Sequence, residues 1–214
     1  MTSAAYAIPP TNVVFDLGGV MAEICHTWEE AAIFSGVVCH KLSDQKTRLS
    51  SFPAFDLYQS GKISLSAYLA DLADFVGCKL EEALAVHNGI LVVEYPGIGK
   101  LVQELHDLKL GTGCLSNTNE PHWEVLALSG EYPAIQSLDM KMASHLVGIN
   151  KPSPRIYEAY CSTFSLAPES IVFFDDYRVN VEAALGCGWN ARWIDSNLDT
   201  PTQMRTYLRD LGVI

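Results

Sequence analysis

Two short apolar runs that each end in aspartate stand out in the pattern of hydrophobic and polar positions. The first, Val13-Val14-Phe15, precedes Asp16, and the second, residues 171–174, precedes Asp175 and Asp176. Continuously apolar runs of this length, bounded by turn residues, are typical of parallel strands that are buried on both faces. Residues 112–115 and 190–194 predict two further strands.

Segments with apolar residues at helical spacing separate these strands in the second half of the chain. The predicted helices cover residues 96–108, 121–128, 154–164, 179–185 and 202–211. Such alternation implies right-handed crossovers between neighbouring parallel strands. The sequence therefore predicts an α/β fold, with a Rossmann-like parallel sheet and helices on both of its faces.

Residues 22–92 differ from the second half of the chain, because apolar residues recur there at helical spacing and no segment is convincing as a strand. Helices are predicted around residues 28–34, over residues 65–76 with Ser64 as a cap and Gly77 as a stop, and over residues 80–91. We interpret this block as a small, all-helical cap inserted after the first strand. The predicted domains are thus a core of residues 11–21 and 93–214 and a helical cap of residues 22–92.

Composition and charge disfavour several classes of binding partner. The 214 residues are 49% hydrophobic and carry a net charge of −11, which disfavours nucleic acid and anionic membranes as partners. No run reaches the roughly 18 apolar residues of a membrane span, and residues 1–10 predict a loose arm rather than a signal peptide. The six cysteines form no Cys-x-x-Cys pair, so free thiols in the cytoplasm are expected. The pattern leaves open whether the protein is a monomer or a homodimer.

Polar groups follow several of the predicted strands at the point where each strand ends. Asp16 follows the first strand, Ser116-Asn117 the strand at residues 112–115, and Asp175-Asp176 the strand at residues 171–174, while Lys151 precedes a predicted helix. Ligands of open α/β sheets bind beyond the carboxyl ends of the strands. These groups are therefore expected to converge at one edge of the sheet.

The charges of this set predict a bound cation. Three carboxylates brought together disfavour one another's ionisation unless a cation lies among them. Carboxylates with a backbone carbonyl, which Gly18 can supply, are typical ligands of Mg²⁺. Ser116 offers a hydroxyl and Lys151 a positive charge to anionic oxygens. The set is suited to phosphoryl transfer to a carboxylate nucleophile, Asp16, followed by hydrolysis of the aspartyl phosphate.

Four motifs, in order, resemble the haloacid dehalogenase (HAD) superfamily of hydrolases, in particular its magnesium-dependent phosphatases with a small helical cap. The motifs are residues 13–20 (VVFDLGGV), 115–119 (LSNTN), 150–157 (NKPSPRIY) and 172–184, which begins VFFDD and includes Asn180-Val181 and Ala183-Ala184. The resemblance implies a phosphomonoesterase that acts on a small phosphorylated metabolite with Mg²⁺ as cofactor.

The resemblance also implies a role for each matching residue. Asp16 is the nucleophile, and Lys151 stabilises both nucleophile and phosphate. The residues that bind the phosphate are Ser116, Asn117, Lys151 and Gly18. Asp16, the Gly18 carbonyl and Asp176 hold magnesium, and Asp175 is a second ligand or an outer-shell partner.

One position departs from the family pattern, which usually has an aspartate two residues after the nucleophile as general acid and base. Gly18 occupies it here. Because general acid–base help contributes about 10²–10⁴-fold, its loss slows the turnover of poor leaving groups most. Glu23, His26 and His122 are the neighbouring groups that could replace it, and the sequence does not choose among them.

Two other functions remain as alternatives. A metal-independent 2-haloacid dehalogenase also uses an aspartate nucleophile and also lacks an acid at Gly18, but the Asp175-Asp176 pair would repel a carboxylate substrate. A catalytically silent relative that binds a ligand is disfavoured because the nucleophile, Ser116 and Lys151 are all retained.

Overall fold

Five parallel strands form the central sheet of the computed structural model, which describes residues 10–42 and 46–214. Their order across the sheet is β5-β4-β1-β6-β7. The strands are β1 (Asn12–Phe15), β4 (Gly111–Ser116), β5 (Met140–Ala143), β6 (Ile171–Asp175) and β7 (Asn190–Trp193). All four predicted strands are present and parallel. The predicted N-terminal arm, apart from Pro10, lies outside the described residues.

Helices cover both faces of this sheet, as predicted. One face packs with α5 (Ile98–Asp107), α6 (Glu120–Leu128), α7 (Pro133–Gln136) and α11 (Thr200–Asp210), and the other with α9 (Pro154–Phe164) and α10 (Arg178–Gly186). The alternation of side chains along the strands divides the core accordingly. Phe15 and Phe174 stack on the first face, whereas Val14 and Phe173 belong to the second. The apolar runs of β1 and β6 are thus buried from both sides.

The strand β5 was not predicted. Its sequence, Met-Lys-Met-Ala, shows no continuous apolar run, because it lies at the edge of the sheet and pairs with β4 alone among the described strands. Lys141 within it turns its ammonium to the carbonyls of Gln136 and Leu138. A charged residue is common on an edge strand, where it discourages pairing with other chains.

The insertion after β1 contains α1 (Trp28–Ser35), α2 (Pro53–Gln59), α3 (Leu65–Val76) and α4 (Leu80–Asn88), which confirms the predicted helical insertion. Its core is separate from the two sheet cores and centres on Trp28, whose indole meets the rings of Phe52, Phe55 and Phe75 edge-on. Ser64 caps α3 by accepting from the Ala67 amide, as predicted. The domain boundaries themselves remain a prediction.

The expectation that residues 22–92 contain no strand was wrong in one detail. Two short strands, β2 (Ala22–Ile24) and β3 (Leu91–Glu94), pair antiparallel where the chain enters and leaves the insertion. The predicted helix over residues 80–91 consequently ends at Asn88, since Leu91 already belongs to β3. Leu91 continues the apolar spacing of α4, so the sequence pattern alone does not separate the two elements.

Across the described part of the chain, no helix combines the length and the apolar character that crossing a membrane requires.

Candidate active site

The carboxyl ends of β4, β1 and β6 bring Asp16, Ser116 and the Asp175-Asp176 pair to one edge of the sheet. The three strands are neighbours, and Phe15 aligns with Cys114 on one side and with Phe174 on the other. The Asp16 amide donates to the Phe174 carbonyl at 2.8 Å, which fixes the backbone just beyond the strand. One carboxylate oxygen from each aspartate lies within 4.8 Å of the other two. The predicted convergence is therefore present.

Lys151 reaches the same point from the loop before α9. Its ammonium is fully buried and lies 2.9 Å from Asp16 Oδ1 and 2.7 Å from Asp175 Oδ2. The Asn117 side chain holds the Lys151 backbone at both ends, because Oδ1 accepts from its amide at 2.8 Å and Nδ2 donates to its carbonyl at 2.9 Å. The side chain of Asn117 thus positions the lysine, a contact that sequence reasoning did not foresee. Phosphate binding by Asn117 stays a prediction.

Asp175 is the most enclosed member of the carboxylate group. Its oxygens accept from the Lys151 ammonium, from the Asn180 amide group and from the Tyr177 backbone amide. Asn180 is itself held in the first turn of α10. This shell of donors keeps Asp175 in place as the counterion that orients Lys151, so Asp16 and Asp176 are the carboxylates better placed to hold a cation.

The negative charges of the three aspartates outnumber the one positive charge of Lys151. Burial and the Asp175 charge raise the pKa of Asp16 to about 6, although Lys151 acts in the opposite direction. Burial, with the charges of Asp16 and Asp175, raises the pKa of Asp176 to about 8. The pKa of Lys151 is raised by Asp16 and Asp175, against the effect of its own burial. One ammonium therefore faces three carboxylates, and a divalent cation would bring the group close to neutrality.

The backbone at Gly19 is shaped around Asp176, which supports the fit of a metal here. Gly19 has a φ of +76°, and a Cβ built on it would lie 2.5 Å from Asp176 Oδ2 and 2.7 Å from Asp176 Cγ. Only glycine leaves room for that carboxylate in this backbone conformation. The donor set of Asp16, Asp176 and the neighbouring backbone carbonyl of Gly18 is the hard-oxygen chemistry that Mg²⁺ prefers. The two glycines after Asp16 predict a backbone that takes a positive φ and approaches a ligand or metal closely, and Gly19 is the one that packs against Asp176 in this way.

A cavity of about 430 Å³ opens above these groups, between core and cap. The core supplies six of the seven predicted site residues, and only Asp175 is not part of the wall. The six are Asp16, Gly18, Ser116, Asn117, Lys151 and Asp176. The cap lines the opposite wall with both apolar and polar side chains: Ile24, His26, Leu49, Ser50, Phe55, Asp56 and Gln59. Of the three groups considered as replacements for the missing acid, His26 and His122 line the cavity, whereas Glu23 is exposed on β2 and is not part of its wall.

The end of α2 is hydrogen-bonded to the core at the rim of this cavity. Gln59 Nε2 donates to the Asn117 carbonyl at 3.0 Å, and the Ser144 hydroxyl donates to the Gln59 carbonyl at 2.6 Å. Asn150 donates to the Asp56 carboxylate at 2.7 Å. The cap is therefore docked on the loops that carry Asn117 and Lys151.

A second junction, which we call the histidine clasp, consists of Tyr68, His87, Asn119 and His122. The imidazoles of His87, from the cap, and His122, from the core, stack in parallel with ring centroids 4.0 Å apart. The His122 Nε2–H donates to the His87 carbonyl at 3.0 Å, which leaves its Nδ1 to accept from Asn119 Nδ2 at 3.4 Å. Asn119 Oδ1 accepts from His87 Nε2, whose Nδ1 accepts from the Tyr68 hydroxyl, both at 2.9 Å. Each ring thus has a fixed tautomer.

Both rings of the clasp are held neutral. Burial lowers the pKa of His122 to about 4, and burial together with His122 lowers the pKa of His87 well below its ordinary value. His87 is thus a structural group whose two ring nitrogens and carbonyl oxygen all have hydrogen-bond partners. Asn119 also caps α6, two residues after Asn117, so the clasp connects the cap to the loop that carries Ser116 and Asn117.

Known proteins resemble this chain in sequence and in fold. The model of the haloacid dehalogenase-like hydrolases matches residues 11–188. The D-ribitol-5-phosphate phosphatase of Bacteroides thetaiotaomicron is 25% identical over 211 residues, which cover 92% of this chain and 98% of that protein. A HAD family enzyme from the same organism, solved with magnesium and inorganic phosphate, superposes with a TM-score of 0.73 at 21% identity, over 89% of this chain and 96% of that one. An L-2-haloacid dehalogenase superposes with a TM-score of 0.62 at 21% identity, over 89% of this chain and 87% of that one. Both structures share the fold.

Proposed function

This chain belongs to the haloacid dehalogenase-like hydrolases, and from that membership we propose that it is a magnesium-dependent phosphomonoesterase acting on a small phosphorylated metabolite. The observation that carries the proposal is the trio Asp16, Asp175 and Asp176 around one buried lysine. The phosphatase activity named for the Bacteroides relative supports the same reaction class.

The proposed reaction has two steps at phosphorus. In the first, an Asp16 carboxylate oxygen forms a bond to phosphorus, and the bond from phosphorus to the leaving oxygen breaks. In the second, a water oxygen attacks the phosphorus of the aspartyl phosphate, which releases inorganic phosphate and restores Asp16. Lys151 stabilises the charge on Asp16 and on the phosphoryl oxygens, and Ser116 donates its hydroxyl to one of those oxygens.

Asp16, Asp176 and the Gly18 carbonyl would hold the magnesium ion. When bound, the ion supplies positive charge that offsets the carboxylates and the phosphoryl oxygens. Asp175 keeps Lys151 directed at Asp16, and Asn117 fixes the lysine backbone. The protein thus pre-positions its own charges before the substrate enters.

A 2-haloacid dehalogenase is the second candidate, because it shares the nucleophile and the fold. Its substrate carries a carboxylate and its reaction needs no metal. Three carboxylates against one ammonium repel such a substrate, and nothing in that reaction requires Asp176. The charge of the site therefore favours the phosphatase.

The test is hydrolysis of p-nitrophenyl phosphate with Mg²⁺, with EDTA, and with an Asp16→Asn variant. Asp71→Asn, an exposed carboxylate of the cap, serves as the matched control. We expect magnesium-dependent release of p-nitrophenol that Asp16→Asn reduces by at least about 10³-fold and Asp71→Asn leaves unchanged. Halide release from a 2-haloacid in EDTA would overturn the proposal in favour of the dehalogenase. Magnesium binding without turnover of any phosphate ester would instead indicate a silent relative.

A further inference from the structure

Two of the six cysteines lie next to each other in the cap, where the loop after α1 meets the end of α3. The backbone amides of residues 40 and 41 donate to the carbonyls of residues 77 and 76, at 3.0 Å and 3.1 Å respectively. The two chain segments therefore run side by side in opposite directions. Continuing this register by one residue places Cys39 opposite Cys78.

The same two segments are in direct contact at the neighbouring residues. Gly77 has a φ of +75°, and a Cβ built on it would lie 2.7 Å from the Lys41 backbone nitrogen. The Lys41 ammonium donates to both the carbonyl and the carboxylate of Asp74 at 2.6 Å. Opposite residues of antiparallel segments have Cα atoms about 4.5–5.5 Å apart, and a disulfide spans about 4.4–6.8 Å. The register thus predicts a spacing that a Cys39–Cys78 disulfide can bridge.

The two thiols also interact with each other. Burial, and then the neighbouring Cys78, raise the pKa of the Cys39 thiol to about 11. Burial and Glu82 raise the pKa of Cys78 as well, but a hydrogen bond from Cys39 acts in the opposite direction. Cys39 therefore keeps its proton, and Cys78 is the thiol that ionises first. Both residues are partly exposed, so a small molecule can reach the sulfurs.

The surroundings of this pair favour a disulfide over a bound metal ion. A structural zinc site takes four ligands from cysteine, histidine and carboxylate side chains. Among the described residues, the one group of three or more such side chains that could share an ion is the aspartate trio of the active site. Cys39 and Cys78 consequently have no third ligand of this kind within reach.

The other four cysteines are less suited to form a disulfide. Cys25 and Cys114 are buried, away from small oxidants. Cys161 and Cys187 are partly exposed, and burial together with nearby groups, Cys161 among them, raises the pKa of Cys187. The Cys187 thiol, however, donates to the Pro154 carbonyl at 3.9 Å. This second pair is the rival cross-link that the experiment has to distinguish.

We propose that Cys39 and Cys78 form a redox-active pair, which a small disulfide such as oxidised glutathione converts into an intramolecular disulfide. In the first step, the Cys78 thiolate attacks one glutathione sulfur, and the S–S bond of glutathione breaks to release a glutathione thiolate. In the second step, Cys39 gives its proton to solvent and its sulfur attacks the Cys78 sulfur, which releases the second glutathione thiolate. Both thiolates take up protons from solvent. Two cysteine thiols are thereby oxidised, and one glutathione disulfide is reduced to two thiols.

The disulfide closes residues 40–77 of the cap into a loop. This loop contains α2 and α3 and several side chains of the cavity wall, namely Leu49, Ser50, Phe55, Asp56 and Gln59. Closing a loop of this size reduces the conformational entropy of the unfolded chain. The oxidised protein is therefore more stable than the reduced one. Neither sulfur lines the cavity, so the cross-link leaves the groups of the active site in place.

The experiment incubates the reduced, folded protein with oxidised glutathione and then blocks the remaining thiols with N-ethylmaleimide. Peptides are mapped by mass spectrometry without reduction. We expect the peptides that carry Cys39 and Cys78 to be joined by a disulfide. The Tm should rise by about 5–15 °C on oxidation and return to its first value with dithiothreitol. Free thiols at both positions, a disulfide that joins Cys161 to Cys187 instead, or an unchanged Tm would overturn the proposal.

Three variants test the order of the two steps. Cys39→Ser should stop at a mixed disulfide of Cys78 with glutathione, without the rise in Tm. Cys78→Ser should react more slowly, because Cys39 keeps its proton. Cys161→Ser is the matched control, also partly exposed, and should retain both the cross-link and the rise in Tm. A rise in Tm that persists in Cys39→Ser would show that the stabilisation arises elsewhere and that the proposal is wrong. The cross-link itself is identified in the parent protein, so that result does not depend on the folding of any variant.

Discussion

Replacing Asp176 with asparagine should stabilise the metal-free protein at pH 8. The pKa of this carboxyl is raised from its ordinary 3.8 to about 8, first by burial and then by Asp16 and Asp175. Between these two pH values the folded state holds a proton that the unfolded chain releases. Stability in the absence of metal is therefore lost as the pH rises from about 4 to about 8.

The size of the effect follows from the same values. One pKa unit corresponds to about 1.4 kcal/mol, so the difference amounts to at most about 5–6 kcal/mol. The three carboxylates titrate together and share this penalty. We therefore expect Asp176→Asn to add about 2–3 kcal/mol to the free energy of unfolding at pH 8, and little at pH 4.5. For a chain of this length, that corresponds to an increase of about 5–10 °C in Tm.

The assay is urea unfolding followed by tryptophan fluorescence, in EDTA and in Mg²⁺, at pH 4.5 and pH 8. Magnesium should stabilise the parent protein at pH 8, because it binds the folded state alone, and should no longer stabilise Asp176→Asn. The matched control is Asp71→Asn, which should leave both responses unchanged. If Asp176→Asn lowers the stability of the EDTA-treated protein at pH 8, the carboxylate is not under electrostatic stress and the argument for a cation site is refuted.

Three further predictions concern the support of the site. Gly19→Ala should abolish magnesium binding in calorimetry, since the added Cβ meets the Asp176 carboxylate, and normal magnesium affinity would contradict the proposed site. Gly36→Ala, with a similar φ of +72° in open space, is the control and should bind magnesium normally and lose only about 1–3 kcal/mol of stability. His122→Asn should be less stable than the parent at pH 7, and the difference in the free energy of unfolding should narrow by about 2 kcal/mol at pH 4.5. The reason is that a His122 pKa lowered to about 4 makes the parent lose stability as the pH falls below about 6.5. A difference that does not change with pH in urea unfolding would contradict the neutral ring. Asn117→Ala should lower kcat roughly 10- to 100-fold with a smaller change in KM, since it frees the backbone of Lys151; an unchanged kcat would show that this contact does not position the lysine.

The convergence of the charged groups could be predicted because it depends on topology. The carboxyl ends of parallel strands share an edge, so Asp16, Ser116 and Asp175 are expected at the same edge once their strands are recognised. The apolar runs before Asp16 and Asp175 identify those strands without any knowledge of tertiary contacts, whereas the order that makes β4, β1 and β6 neighbours is known only from the structure. The same argument does not predict β2, β3 or β5. These strands are short and contain both polar and apolar residues, and they are defined by their pairing with a neighbouring strand.

The details that set the chemistry depend on contacts between distant residues, and no local pattern encodes them. The glycine pair after Asp16 predicts a close backbone approach to a ligand or metal, but the sequence does not show that Asp176 is the group beside Gly19. Ile24 is one apolar residue among many until β2 folds back over Gly18. The pairing of His87 with His122 joins residues of the cap and the core, which no spacing rule connects.

The antiparallel pair of β2 and β3 has a consequence for the order in which the chain folds. Pairing β1 with β4 requires closing a loop of residues 16–110, which is 95 residues long. Once β2 and β3 have paired around an insertion with its own core, the free part of that loop shrinks to residues 16–21 and 95–110. A fourfold shorter loop lowers the entropic barrier by about 1.2 kcal/mol. We therefore expect the insertion to form early and to speed the assembly of the central sheet, and a Trp28→Ala variant that refolds as fast as the parent would show that it does not.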